Sequence, residues 1–273
     1  MHSELFSIGP INLHMYGLCM ALGFLAAWQV LVYLCKRTGQ NLGNVEMLLT
    51  WVMISAVIGA RAVYVAQNWT EEFAQNPMAI IRFDKGGLVY YGGFIGALIP
   101  YVGYTLYSRK NFFELADISA AVLPLGQAFG RVGCFMHGCC WGKCTDSWLG
   151  VSFPHRSPVW SEHLNNGLIS HTAAKSLPVI PTQLIESAAT LALFGVLFWL
   201  YPKHYQRRGL IGGLYLVGYA VLRFFIEYLR GDPRGAVGVF STSQMISLAV
   251  FVFGIGCITW SRKGKGQVGS ARR

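Results

Sequence analysis

Long apolar stretches separated by short polar ones set the pattern of this chain, and each stretch is of bilayer-spanning length, about 20 residues. Uncharged runs occur at Met15 to Cys35, Leu88 to Ser108 and Ser241 to Ser261, and a fourth from Met47 to Trp69 is interrupted only by Arg61. Three further runs carry internal charge: Phe112 to Gly130 with Glu114 and Asp117, Pro181 to Tyr201 with Glu186, and Leu210 to Leu229 with Arg223 and Glu227. The pattern predicts an all-α, polytopic membrane protein of seven transmembrane helices. The longest polar connection, 131 to 180, is expected to form a small extracytoplasmic head between helices 4 and 5 of a single domain spanning 1–273.

Composition supports that reading. Hydrophobic residues make up 53 % of the 273 and charged residues 12 %, about half the charged share of a soluble domain. An odd number of spans puts the termini on opposite sides, and basic residues mark the cytoplasmic one. Alternate connections hold Lys36 and Arg37, Arg109 and Lys110, and Lys203, Arg207 and Arg208, and the tail adds Arg262, Lys263, Lys265, Arg272 and Arg273. The N-terminus is therefore expected outside the cytoplasm, followed by a retained first helix and not a cleaved signal peptide. Topology and lipid headgroups account for the net charge of +10 without a nucleic acid partner. In the head, Trp141, Trp148 and Trp160 suit a headgroup layer.

Arginine inside an apolar helix calls for a partner of opposite charge. Tyr219, Arg223, Glu227 and Arg230 recur at helical spacing on one face, so Glu227 can hold Arg223 while the guanidinium groups bind phosphate bidentately. An internal ion pair that locks two helices explains the same spacing. Arg131 lies between Gly130 and Gly133, where the backbone can approach a ligand; an interfacial arginine reaching headgroups is the simpler alternative. Arg61 has no acid one turn away, which leaves an anion contact or a pair with Glu186 or Asp117. The Gly92 to Gly96 spacing reads as close helix packing.

Six segments in order then carry a resemblance over almost the whole chain. They are Ser7-Ile8-Gly9-Pro10 with His14-Met15-Tyr16-Gly17-Leu18; Gly59-Ala60-Arg61; Gly86-Gly87-Leu88 with Tyr91-Gly92-Gly93-Phe94-Ile95-Gly96; the signature Gly130 to Gly142; Pro181-Thr182-Gln183-Leu184-Ile185-Glu186; and the helix Tyr219 to Arg230. The chain resembles the prolipoprotein diacylglyceryl transferases of bacteria. That resemblance implies transfer of diacylglycerol from phosphatidylglycerol to the lipobox cysteine of a prolipoprotein, in the inner membrane, without metal or soluble cofactor. It implies catalytic roles for Arg131, Tyr91, Arg223, Glu227 and His14, and phosphatidylglycerol binding by Arg131, Arg223, Arg230, Arg61, Tyr16, Tyr219 and Gly142, with Gln183 and Glu186 facing the same cavity.

The sequence departs from the family pattern in two places, before Gly92 and within the signature. Tyr91 stands where many members have a histidine cast as the base, and a tyrosine titrating near ~10 is a poor proton acceptor at neutral pH. His14, His137, Glu227 or water are the alternatives. Cys134, His137 and Cys139 replace Asn, Asn and Glu, and Cys140 and Cys144 follow. Their spacing lacks the paired C-x-x-C of zinc knuckles, which leaves packing thiols, a disulfide or a metal site in that order of expectation. An anion transporter lined by Arg61, Arg131 and Arg223 would call for inverted repeats or broken helices in matching halves, and the sequence shows neither. A noncatalytic relative that binds lipid or lipoprotein is the other alternative.

Overall fold

The computed structural model describes residues 4–8, 11–40, 45–74, 76–81, 87, 89–109, 111–232, 235–237 and 240–263; the side chains of 4–8, 11–14, 71, 90, 236, 237 and 263 lie outside that description. Among these residues are eight α-helices: α1 (Met15–Thr38), α2 (Val45–Gln67), α3 (Tyr90–Ser108), α4 (Phe112–His137), the short α5 (Pro158–Asn165), α6 (Thr182–His204), α7 (Leu210–Leu229) and α8 (Thr242–Lys263). Two small antiparallel hairpins, β1 (Glu4–Ile8) with β2 (Ile11–His14) and β3 (Ala236–Val237) with β4 (Phe240–Ser241), accompany them. The apolar-run reading did not anticipate either hairpin.

Six helices, α1, α2, α4, α6, α7 and α8, are long and apolar enough to cross a bilayer, so the chain is a polytopic membrane protein. The uncharged helix α3, in which five tyrosines and four glycines share 19 residues, is not among the six. It packs along α2 at very short range. A Cβ at Gly92 would collide with the Gly59 carbonyl, and one at Gly96 with the Ser55 carbonyl, so the two backbones touch where only glycine fits.

α4 is the spine of the bundle. It packs against α1, α6 and α7, and half of its apolar window is buried, against 17–28 % for the other five spans. Its first turn is capped by Asn111, whose side chain accepts from Phe113 N at 2.9 Å. One turn on, buried Asp117 accepts from Gly209 N and Gly212 N, both at 2.7 Å. These donors open α7, where unpaired amides and the helix dipole favour a carboxylate. Asp117 is thus a helix cap supplied from a neighbouring helix, and Arg61 does not pair with it.

The other end of α4 falls later than the apolar pattern indicated. The helix continues through Arg131 to His137 and closes on Gly138 at φ 79°, with Gly138 N donating to Phe135 O at 3.2 Å and Cys139 N to Cys134 O at 3.2 Å. This left-handed glycine turn satisfies the last carbonyls. The residues that follow form a compact head around Trp141, Phe153, Val159 and Val179. Trp141 and Trp160 are buried, and the Trp160 indole donates to Ala173 O at 2.8 Å. Of the three tryptophans assigned to a headgroup layer, only Trp148 is exposed, at 89 %. The other two serve the head's own core, because a buried carbonyl and apolar neighbours satisfy an indole as well as the interface does.

Candidate functional site

The turn after α4 is stitched between the start of α6 and the end of α7. Gly142 N donates to Ile180 O at 3.0 Å, Ile180 N to Lys143 O at 3.0 Å, Lys143 N to Leu229 O at 2.9 Å and Gly231 N to Trp141 O at 3.1 Å. Side chains from the first turn of α6 extend the mesh: Thr182 Oγ1 donates to Cys140 O at 2.9 Å and Gln183 Nε2 to Cys139 O at 2.7 Å. Ser187 Oγ reaches Ala128 O on α4 at 3.0 Å. A Cβ on Gly142 would stand 2.6 Å from Ile180 O and 2.8 Å from Leu229 O. Glycine is therefore required where three elements converge.

That mesh fixes α4, α6 and α7 against each other and brings their charged residues to one end of the bundle. Arg131 Nη2 lies 2.9 Å from Glu186 Oε1, with the carboxylate fully buried and the guanidinium one-fifth exposed. The pair explains how α4 carries an arginine beyond its apolar run, since a buried carboxylate offsets the charge. Arg131 is also within electrostatic reach of Tyr219 on α7 and of the Cys134 and Cys140 thiols, and Tyr16 on α1 lies in the same field. The Tyr16 ring seats directly on Gly133, so the second glycine of the signature makes room for it. Glu186 Oε2 and Gln183 Oε1, one turn apart on α6, are buried acceptors without a hydrogen-bond donor among the described residues.

On α7, Arg223 and Glu227 form the i,i+4 pair that their spacing allows, at 3.0 Å. Arg223 Nη2 also donates to Ser243 Oγ on α8 at 3.2 Å. Tyr219, one turn earlier, stacks on Tyr215 at 5.9 Å between ring centroids. Arg230, just past the helix, is chelated by Asp232 through Nε and Nη2, both at 2.7 Å, and its charge acts on the Cys140 thiol. The adjoining Cys134 and Cys139 thiols, and then Arg230, hold the Cys140 thiol below its ordinary range.

Arg61 stands apart. Its Nε, Nη1 and Nη2 donate to the carbonyls of Ile80 at 2.9 Å, Gly87 at 3.1 Å and Ala79 at 2.7 Å, and its guanidinium lies 5.4 Å from the Tyr64 and Phe73 ring centres. It binds the chain that leads into α3, and Glu186, one acid considered for it from sequence, is taken by Arg131. Tyr91, in the first turn of α3, is 66 % exposed. His14 ends β2, and its side chain, like Gly9, Pro10, Gly86 and Leu88 of the motifs, lies outside the described residues.

Sequence reasoning did not anticipate Asp232 as the partner of Arg230, although Arg-Gly-Asp at 230–232 places the acid two residues away. Nor did it assign Glu186 to Arg131. The head separates them in sequence, and only the fold brings them together.

These features define a polytopic membrane protein with an arginine-rich polar site sealed between its helices and a small head. The family model described as Prolipoprotein diacylglyceryl transferase matches residues 3–260. The chain is 32 % identical over 255 residues to phosphatidylglycerol–prolipoprotein diacylglyceryl transferase 2 of Clostridium perfringens, covering 93 % of each chain. It is 31 % identical to the phosphatidylglycerol–prolipoprotein diacylglyceryl transferase of Xylella fastidiosa, covering 92 % of this chain and 89 % of that one. The enzyme of the same name from Xanthomonas oryzae is 30 % identical over 94 % of this chain and 90 % of its own. The chain belongs to the prolipoprotein diacylglyceryl transferase family, and its activity is diacylglyceryl transfer to prolipoproteins.

Proposed function

We propose that the diacylglyceryl donor is phosphatidylglycerol and that the Arg131–Glu186 pair, with Tyr219 of α7 near it, receives its phosphate, Arg223 joining as a further contact from α7. The observation that carries this reading is an arginine held by a buried carboxylate at the rim of an apolar bundle. Such a guanidinium is pre-positioned and poorly hydrated, so it can turn its free N–H groups to a phosphodiester at low reorganisation cost.

In the reaction, the acceptor thiolate attacks C3 of the diacylglyceryl unit, the C–S bond forms, the C–O bond to phosphate breaks, and glycerol phosphate leaves with the electron pair. Negative charge grows on the departing phosphate, where Arg131 offsets it. Glu227 keeps Arg223 aimed at the same end of α7. A thiol with a pKa of about 8.5 ionises readily near a cationic site, so proton removal by His14, His137, Glu227 or water would serve. The acceptor is the lipobox cysteine of a prolipoprotein signal peptide.

In the same reading α3 is a seventh crossing. It is uncharged throughout and packed on α2 at glycine contact. An odd number of crossings and the basic connections put the N-terminus and head on the extracytoplasmic face of the inner membrane.

The test is transfer to a synthetic lipobox peptide by the purified chain in detergent, with phosphatidylglycerol or phosphatidylethanolamine as donor. Thioether product from phosphatidylglycerol alone is expected. Equal transfer from both lipids would overturn the headgroup assignment, and no transfer from either would overturn the reaction.

A further inference from the structure

Three of the seven cysteines meet at one point of the site. The Sγ atoms of Cys134, Cys139 and Cys140 all lie within 4.8 Å of one another, and each residue is partly buried. Three sulfurs around one ion at about 2.3 Å would stand roughly 4 Å apart, so the observed cluster is within about an ångström of a coordinating arrangement.

The backbone accounts for the convergence. Left-handed Gly138 folds Cys139 back over the last turn of α4, and the Cys139 N to Cys134 O bond closes that turn. Cys140 is itself left-handed at φ 64°, a conformation that a non-glycine residue keeps only where its surroundings impose it. Thr182 and Gln183 hold the carbonyls of Cys140 and Cys139. Together these bonds do what a C-x-x-C knuckle does by spacing, which is why the sequence spacing argued against metal while the folded turn accommodates one.

We propose that Cys134, Cys139 and Cys140 form a three-thiolate site for one thiophilic d10 metal ion, of the Cu(I) or Zn(II) class. Thiolate sulfur selects these soft or borderline ions over calcium or magnesium. Binding forms three metal–sulfur bonds and releases the thiol protons to solvent. The resulting complex is anionic, and Arg131 and Arg230 lie beside Cys140 to offset that charge. The inference stands independently of the donor-lipid assignment.

The experiment titrates the reduced full-length protein in detergent with Cd(II) as the probe, following the sulfur-to-cadmium charge-transfer band and protection from maleimide. The band is expected to saturate at one ion per chain, with Cys134, Cys139 and Cys140 protected and Cys144 and Cys257 still labelled. Cys139→Ser should weaken binding by at least about tenfold, since a hydroxyl is a poor ligand for these ions, while Cys144→Ser leaves it unchanged. Because the protection map is read on the wild-type protein, it decides the matter even if Cys139→Ser fails to fold. No saturable band, protection falling on other cysteines, or a disulfide among the three that resists reductant would each overturn the proposal.

Discussion

Arg131→Ala is expected to lower diacylglyceryl transfer by about 10²–10³-fold, the loss usual when one preorganised donor to a developing anion is removed. It should also destabilise the fold, because Glu186 is fully buried and Arg131 is its ion-pair partner; stranding one member of a buried pair costs about 3–5 kcal/mol. The two effects separate in the double variant Arg131→Ala/Glu186→Gln. Neutralising Glu186 removes the stranded charge, so thermal stability in detergent should recover most of the loss while activity stays low. Recovery of activity along with stability would mean that Arg131 is only a structural brace. Arg131→Lys should fold but remain impaired, since a point charge does not reproduce the planar fork that both Glu186 and a phosphodiester can accept from.

The second large effect is expected at a residue without a side chain. Gly142→Ala would bring a Cβ within 2.6 Å of Ile180 O and 2.8 Å of Leu229 O, and neither backbone atom can rotate away. The loop must shift, and with it the turn that registers α4, α6 and α7. A displacement of about 1 Å at a catalytic group costs on the order of 10²-fold in rate, so transfer by Gly142→Ala should fall by at least that much with donor-lipid KM affected less than kcat. Gly17→Ala, which meets no atom within 4 Å, is the control, and its activity should stay close to wild type. Comparable losses in both would show that glycine substitution in general, and not the stitched junction, is responsible.

The long helices were readable because a bilayer demands uncharged runs, and the runs beginning at Met15, Leu210 and Ser241 correspond to α1, α7 and α8. The same logic ended the run from Phe112 to Gly130 too early. A charge at Arg131 looked like a boundary, yet the helix passes through it because Glu186, on a different helix, cancels the charge locally. Pairing across helices leaves no mark on local hydropathy. The Arg223–Glu227 pair was readable because its partners lie four residues apart on one helix. Arg61 was hard to place from sequence, since three of its contacts run to backbone carbonyls at Ala79, Ile80 and Gly87, and a carbonyl acceptor belongs to every residue type. The convergence of three thiols depends on two left-handed residues; Gly138 advertises one of them, and Cys140 gives no such sign.

In the proposed mechanism the arginine site neutralises a departing glycerol phosphate while a thiol takes its place on carbon. The most direct measurement is a single-turnover reaction of the purified chain with headgroup-labelled phosphatidylglycerol and a lipobox peptide, quantifying released headgroup and peptide thioether together. Glycerol phosphate and thioether are expected in equal amounts, both lost in Arg131→Ala/Glu186→Gln. Release of free glycerol or phosphatidic acid, or thioether formed without glycerol phosphate, would contradict the mechanism.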